Sequence, residues 1–203
     1  MDSIIVIGTS AGGVHALKTV LSTLPPDFPA AVLIVMHVGT YRSILPGILD
    51  EICALPVRHA ADGEPVQAAQ VLVAPPDRHM TISTEDGQAR VRLSHGPKEN
   101  HSRPAIDPLF RSAAQAFGPR LTGVILTGYL NDGTSGLRAV KACGGHAIVQ
   151  DPSEAHAPNM PGSALNKVAV DQCLALEAIG PALVRMVQAP ARRETMPPCC
   201  AAY

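Results

Sequence analysis

The sequence predicts an α/β fold: a doubly wound, mostly parallel sheet covered by helices on both faces, with an inserted antiparallel β-hairpin. Three observations carry this. Short apolar runs rich in β-branched residues alternate with stretches whose apolar residues recur at helical spacing. Most runs are apolar throughout, as strands buried on both faces are. One pair of runs instead alternates apolar with polar residues across a Glu-Asp-Gly turn, the pattern of a hairpin. The chain has 203 residues, 46% of them hydrophobic, so one sizeable core is within reach. Tryptophan is absent and aromatics are few, which leaves Val, Ile, Leu and Ala to build that core.

Ile4-Ile5-Val6-Ile7 reads as the first strand, followed by the turn Gly8-Thr9-Ser10-Ala11-Gly12-Gly13. Val14, Leu17, Val20, Leu21 and Leu24 then mark a helix. A second buried strand covers 31–36 and ends at His37, and a helix is expected over Ile44 to Ala54, with Pro46 near its start. Residues 62–69 read as loop, and Val71-Leu72-Val73-Ala74 as a strand. The hairpin arms are Met80–Ser83 and Ala89–Leu93. Gly96 to Pro104 reads as a polar surface loop, followed by a helix from Pro108 to Phe117. The strand Thr122–Thr127 ends in Gly128-Tyr129-Leu130-Asn131-Asp132-Gly133, then a helix runs through Leu137 and Val140. His146–Gln150 is a further strand. A short helix follows from Gly162, then a last strand at Ala169-Val170 and a helix from Ile179 to Val187. One domain is expected over residues 1–188, with a disordered tail over 189–203.

A net charge of −1 argues against a nucleic-acid partner. No stretch approaches the length of a membrane span, and no basic n-region opens the chain, so a cytoplasmic protein without membrane insertion is expected. The five cysteines are odd in number and form no C-x-x-C pair. Reduced thiols are expected, with neither a disulfide framework nor a metal site. No cofactor is implied.

Open parallel sheets carry their sites at the carboxyl ends of the strands. Ser10, His37 and Asp132 stand just past three of those ends. They supply a nucleophile, a base for its proton and a carboxylate to fix the imidazole's tautomer, the set that acyl transfer needs. The backbone N–H of Ala11, next after Ser10, is the leading oxyanion donor. Gly8-x-Ser10-x-Gly12 also fits the strand–turn–helix elbow that presents a serine nucleophile. A dinucleotide cradle would need glycine where Ser10 stands and an acidic residue where His37 stands. Taken singly, each residue has a plainer reading: Ser10 as a helix cap, Asp132 as a turn residue, His37 as a buried histidine. His79 and His101 are further bases by type. The case for a site rests on the coincidence of three strand ends.

The chain resembles the catalytic domain of the chemotaxis-type protein-glutamate methylesterases, the CheB family, from about Ile4 to Val187. The resemblance is carried by Ile7-Gly8-Thr9-Ser10-Ala11-Gly12-Gly13, Val35-Met36-His37, Ala60-Ala61-Asp62-Gly63-Glu64 and Val73-Ala74-Pro75-Pro76-Asp77-Arg78-His79. It continues through Arg103-Pro104-Ala105-Ile106-Asp107-Pro108-Leu109-Phe110, Gly123–Gly128, Asn131-Asp132-Gly133, Gly144-Gly145 and Met160-Pro161. It implies a serine hydrolase that demethylates glutamyl esters on the cytoplasmic helices of chemoreceptors, releases methanol and can deamidate receptor glutamines. It implies Ser10 as nucleophile, His37 as base and Asp132 as acid. Thr9, Ala11, Gly12, Gly13, Tyr129, Leu130 and Asn131 would form the pocket and oxyanion surroundings. His79, Arg103 and Met160 would contact substrate or support the site.

Two departures from the family pattern touch the pocket. Ala11 stands where Thr or another small residue is common, and Gly128-Tyr129-Leu130 replaces Gly-Met-Gly. Many relatives also carry an amino-terminal receiver domain. Here the first strand begins at residue 4, so the expectation is activity without a phosphodonor, or control by a separate regulatory protein. The competing expectations are a non-catalytic signalling adaptor of the same fold and an esterase for small-molecule esters.

Overall fold

In a computed structural model that describes residues 3–188, seven strands form one parallel sheet in the order β3-β4-β2-β1-β7-β8-β9. The strands are β1 (Ser3–Thr9), β2 (Ala30–Met36), β3 (Val57–His59), β4 (Gln70–Val73), β7 (Leu121–Ile125), β8 (His146–Gln150) and β9 (Gln172–Leu174). The hairpin β5 (His79–Glu85) and β6 (Gln88–Ser94) makes a separate antiparallel sheet. The helices are α1 (Gly13–Leu21), α2 (Leu45–Asp50), α3 (Ile106–Phe117), α4 (Thr134–Ala142), α5 (Asn159–Lys167) and α6 (Leu176–Gln188).

Alternate residues of the central strands point to opposite faces of the sheet. In β1, Ile4 and Val6 join a core with α3, α4 and the hairpin, while Ile5 and Ile7 join a core with α1, α2 and α6. That two-sided burial is why these strands read as unbroken apolar runs. The hairpin turns through Asp86 and Gly87, both at positive φ, as a two-residue Asp-Gly loop demands. It packs on α3, and the Ile82 N–H donates to Ser112 Oγ at 3.0 Å.

Several boundaries differ from expectation. The helix expected over residues 44–54 stops at Asp50, whose carboxylate accepts the Val57 N–H at 2.8 Å and turns the chain into β3. That strand was not expected: three residues at the sheet edge carry too little pattern. The last strand lies at Gln172–Leu174 rather than Ala169-Val170, where pairing with β8 sets it. The helix that follows begins at Leu176 rather than Ile179. The expected tail over 189–203 lies outside the described residues. Cys53 and Cys173 are free thiols.

Candidate active site

The strand order β2-β1-β7 places the carboxyl end of β1 between two neighbours, and the backbone ties the three ends together. The His37 N–H donates to the Thr9 carbonyl at 3.2 Å, and the Ser10 N–H to the Thr127 carbonyl at 2.9 Å. Ser10 therefore sits at the middle of the edge, with His37 on one side and Gly128 on the other. A side chain at Gly128 would meet Ser10 Cβ at 2.9 Å and Met160 Sδ closer still, so the close approach of this backbone requires glycine.

Helix α1 starts at Gly13, and its N-cap is Gly12 at φ 79 with no side-chain cap. The capping role for Ser10 is thereby excluded, and its hydroxyl is left to the cavity. Ser10 shares a cavity of about 610 Å³ with Ala11, Gly12, Gly13, Met36 and His37. The N–H groups of Ala11 and Gly12 donate to no group among the described residues, while the Gly13 N–H closes the turn onto the Ser10 carbonyl at 2.9 Å. Two unpaired backbone donors beside a hydroxyl, at the amino end of a helix, form a ready site for a developing oxyanion.

His37 Nε2 lies 2.7 Å from Asp132 Oδ2. Asp132 is 1% exposed. Its Oδ2 also accepts the Ile106 N–H at 2.8 Å. Its Oδ1 accepts the Gly133 N–H at 2.8 Å, the Asn100 amide at 2.7 Å and the Asp107 N–H at 3.2 Å. Every neighbour donates, so the group is held as a carboxylate and Nε2 carries the proton toward it. Nδ1 is then the imidazole's free nitrogen, available to a hydroxyl proton. Burial pushes the Asp132 carboxyl up, yet the His37 hydrogen bond and the Ile106 N–H outweigh it and hold the group below the usual aspartate range.

Ser10 Oγ and His37 are joined by no hydrogen bond here. Such bonds are commonly long in unliganded sites and tighten when substrate arrives.

The other expected residues separate. Thr9 is fully buried and donates its hydroxyl to the Thr127 carbonyl at 2.9 Å, so it pins the strand ends rather than lining the pocket. Tyr129 and Leu130 are exposed, and with Asn131 they line a neighbouring cavity of about 680 Å³. They supply no oxyanion donor within the Ser10 cavity. His79 is buried, with Nε2 2.9 Å from the Pro97 carbonyl and Nδ1 accepting the Ala105 N–H at 3.3 Å. Arg103 is held by Asp77 at 2.7 Å and by the Gly96 carbonyl at 2.7 Å. Both support the loop leading to α3. Met160 is buried against Gly128. Among the described residues no group of three His, Cys, Asp or Glu side chains is placed to hold a metal ion.

Two residues not singled out as site residues matter. Thr127 accepts the Ala157 N–H at 2.8 Å and donates its hydroxyl to the Ala11 carbonyl at 2.9 Å. It thus fixes the turn that carries Ser10. Asn100, at φ 49, reaches in with one amide nitrogen to Asp132 and to Asp107 Oδ2 at 2.9 Å. Burial raises the Asp107 carboxyl above the aspartate range, and the nearby Asp132 charge adds to this. The loop's polarity was readable, but an asparagine bridging two carboxylates leaves no periodic signal.

A model of the CheB methylesterase family matches residues 5–183. The chain belongs to the CheB methylesterase family. The crystal structure of the Thermotoga maritima CheB methylesterase catalytic domain is 33% identical and matches with a TM-score of 0.89. The match covers 92% of this chain and 99% of that one. A relative from Leptospira interrogans is 40% identical over 190 residues, 91% of this chain and 94% of that protein. A protein-glutamate methylesterase/protein-glutamine glutaminase of Anaeromyxobacter dehalogenans is 41% identical over 181 residues, 89% of this chain. This chain spans 52% of that larger protein. The fold expected from the sequence is thus the fold of the CheB catalytic domain.

Proposed function

We propose that this chain hydrolyses γ-glutamyl methyl esters on the cytoplasmic segment of a chemoreceptor, with Ser10, His37 and Asp132 as its catalytic residues. The observation that carries the reading is the His37–Asp132 contact of 2.7 Å beside a cavity that Ser10 shares with the unpaired Ala11 N–H.

Ser10 Oγ attacks the ester carbonyl carbon while His37 Nδ1 takes the hydroxyl proton. The carbonyl π electrons move to oxygen, and that oxyanion accepts hydrogen bonds from the Ala11 and Gly12 N–H groups. Asp132 stabilises the imidazolium without taking its proton. Collapse breaks the bond to the methoxy oxygen, which receives the His37 proton and leaves as methanol. Water then attacks the acyl-enzyme, again giving its proton to His37. That proton returns to Ser10, and the glutamyl carboxylate is released. A glutamine side chain follows the same path with ammonia leaving, in keeping with the double name of the Anaeromyxobacter relative. No helix among the described residues is long and apolar enough to cross a membrane, and the reading places the enzyme in the cytoplasm beside its substrate.

The test is methanol release from a methylated receptor cytoplasmic fragment. Ser10→Ala is expected to lower kcat by about 10³-fold or more while leaving the thermal melt unchanged. Methanol release by the variant at the wild-type rate would overturn the nucleophile assignment.

A further inference from the structure

The described residues include four exposed large hydrophobics, Tyr41, Ile44, Tyr129 and Leu130, at 88%, 73%, 58% and 63% exposure. Scattered singly, such residues need no explanation. Here all four lie on two loops, one after β2 and one after β7, and those strands flank β1 on either side. Ser10 stands between them.

Both loops border the catalytic cavity. Val14 and Met36 line it and also line the cavity of about 340 Å³ that holds Tyr41 and Ile44. On the opposite flank Gly128 abuts Ser10, and Tyr129 and Leu130 follow it directly.

Charge gives the second observation. The charged side chain of the Tyr41–Ile44 cavity is Arg42, and that of the Tyr129–Leu130 cavity is Lys167. Neither cavity is lined by a carboxylate. The wall beyond His15 differs, because Glu154 and Glu177 line the cavity there. A negatively charged partner is therefore admitted along the line from the β2 loop to the β7 loop and repelled toward α6.

We infer that the Tyr41–Ile44 and Tyr129–Leu130 pairs, with Arg42 and Lys167, form a saddle across Ser10 that grips an acidic amphipathic helix of the substrate. The inference rests on the methylesterase reading. Adjacent strands lie about 4.8 Å apart, so the three strand ends span about 10 Å, close to the distance between residues one turn to either side of a central position on a helix lying along that line. A glutamyl side chain reaching Ser10 holds its backbone just above the catalytic cavity. Residues three or four positions away on the same helix face lie about 5–6 Å to each side. Those neighbours meet the two apolar ledges, and glutamates beside them meet the two cations.

The experiment compares kcat/KM for methanol release from a methylated receptor fragment with that for a small ester, N-acetylglutamate γ-methyl ester amide. Ile44→Ser combined with Leu130→Ser is expected to lower the fragment-to-small-ester ratio at least tenfold, mainly through KM on the fragment. Arg42→Glu combined with Lys167→Glu is expected to lower the same ratio and to flatten its dependence on salt. A ratio within twofold of wild type in both variants overturns the saddle and leaves the methylesterase reading standing. Absence of methanol from the fragment with the wild-type protein overturns that reading, and the saddle with it.

Discussion

Thr127 shows how much of the site depends on one side chain that does no chemistry. Its hydroxyl donates to the Ala11 carbonyl and accepts the Ala157 N–H, and its backbone carbonyl accepts from Ser10 and Thr9. Valine keeps the shape and removes the hydroxyl, so Thr127→Val leaves the Ala11 carbonyl and the Ala157 N–H without that partner. Unpaired buried groups cost about 1–3 kcal/mol in all, which denaturant unfolding would read. The larger effect falls on kcat, because a small shift of the Ser10 turn displaces the nucleophile and the oxyanion donors together. A loss of roughly 10²-fold in kcat is expected. Thr127→Ser, which keeps the hydroxyl, is expected to recover most of it. Equal loss in both variants would show that the methyl group rather than the hydroxyl matters.

At the scale of elements, α1 must hold its amino end against Ser10, and α6 fixes it from behind. Gly180 is the contact: a side chain there would meet the Val20 carbonyl at 2.7 Å and Thr23 Oγ1 closer still. Alanine favours a helix over glycine by about 1 kcal/mol. Overpacking costs about 1–3 kcal/mol and here presses on backbone, which cannot swing aside. The clash therefore wins, and Gly180→Ala is expected to lower Tm by a few degrees, at about 2–4 °C per kcal/mol for a chain of this size. A raised Tm in a calorimetric scan would refute this packing. The same elements show what the residues disclose in advance. Central strands were legible because both faces are buried, which leaves a continuous apolar run. The edge strands Val57–His59 and Gln172–Leu174 were not, because their positions come from pairing with a neighbour rather than from their own three residues. Ser10, His37 and Asp132 were legible as residues ending strands. Thr127 and Asn100 were quiet, because their roles are hydrogen bonds between segments far apart in sequence.

Across the whole molecule the two cores share one sheet, and the most heavily bonded buried carboxylates gather at its carboxyl edge. Asp132 and Asp107 share the Asn100 amide yet titrate in opposite senses. Asp132 is lowered in the folded state from the ordinary 3.8, so it contributes stability above that value and loses it as pH falls through its folded value. Asp107 is raised from 3.8, so it carries a penalty at neutral pH that protonation removes as pH falls through its raised value. Asp171, chiefly through its ion pair with Lys141, and Glu64, through Arg58, are also lowered despite partial burial and act in the same sense as Asp132. The molecule as a whole is therefore expected to lose stability on acidification. The separate signs appear in two variants followed by denaturant unfolding from about pH 7 to about pH 3. The stability of wild type minus that of Asp132→Asn is expected to fall as pH drops, because only wild type has that contribution to lose. The stability of wild type minus that of Asp107→Asn is expected to rise over the same range, because only wild type sheds a penalty. Slopes of the same sign in the two variants would mean that Asn100 does not hold the pair with one carboxyl favoured and the other disfavoured in its charge.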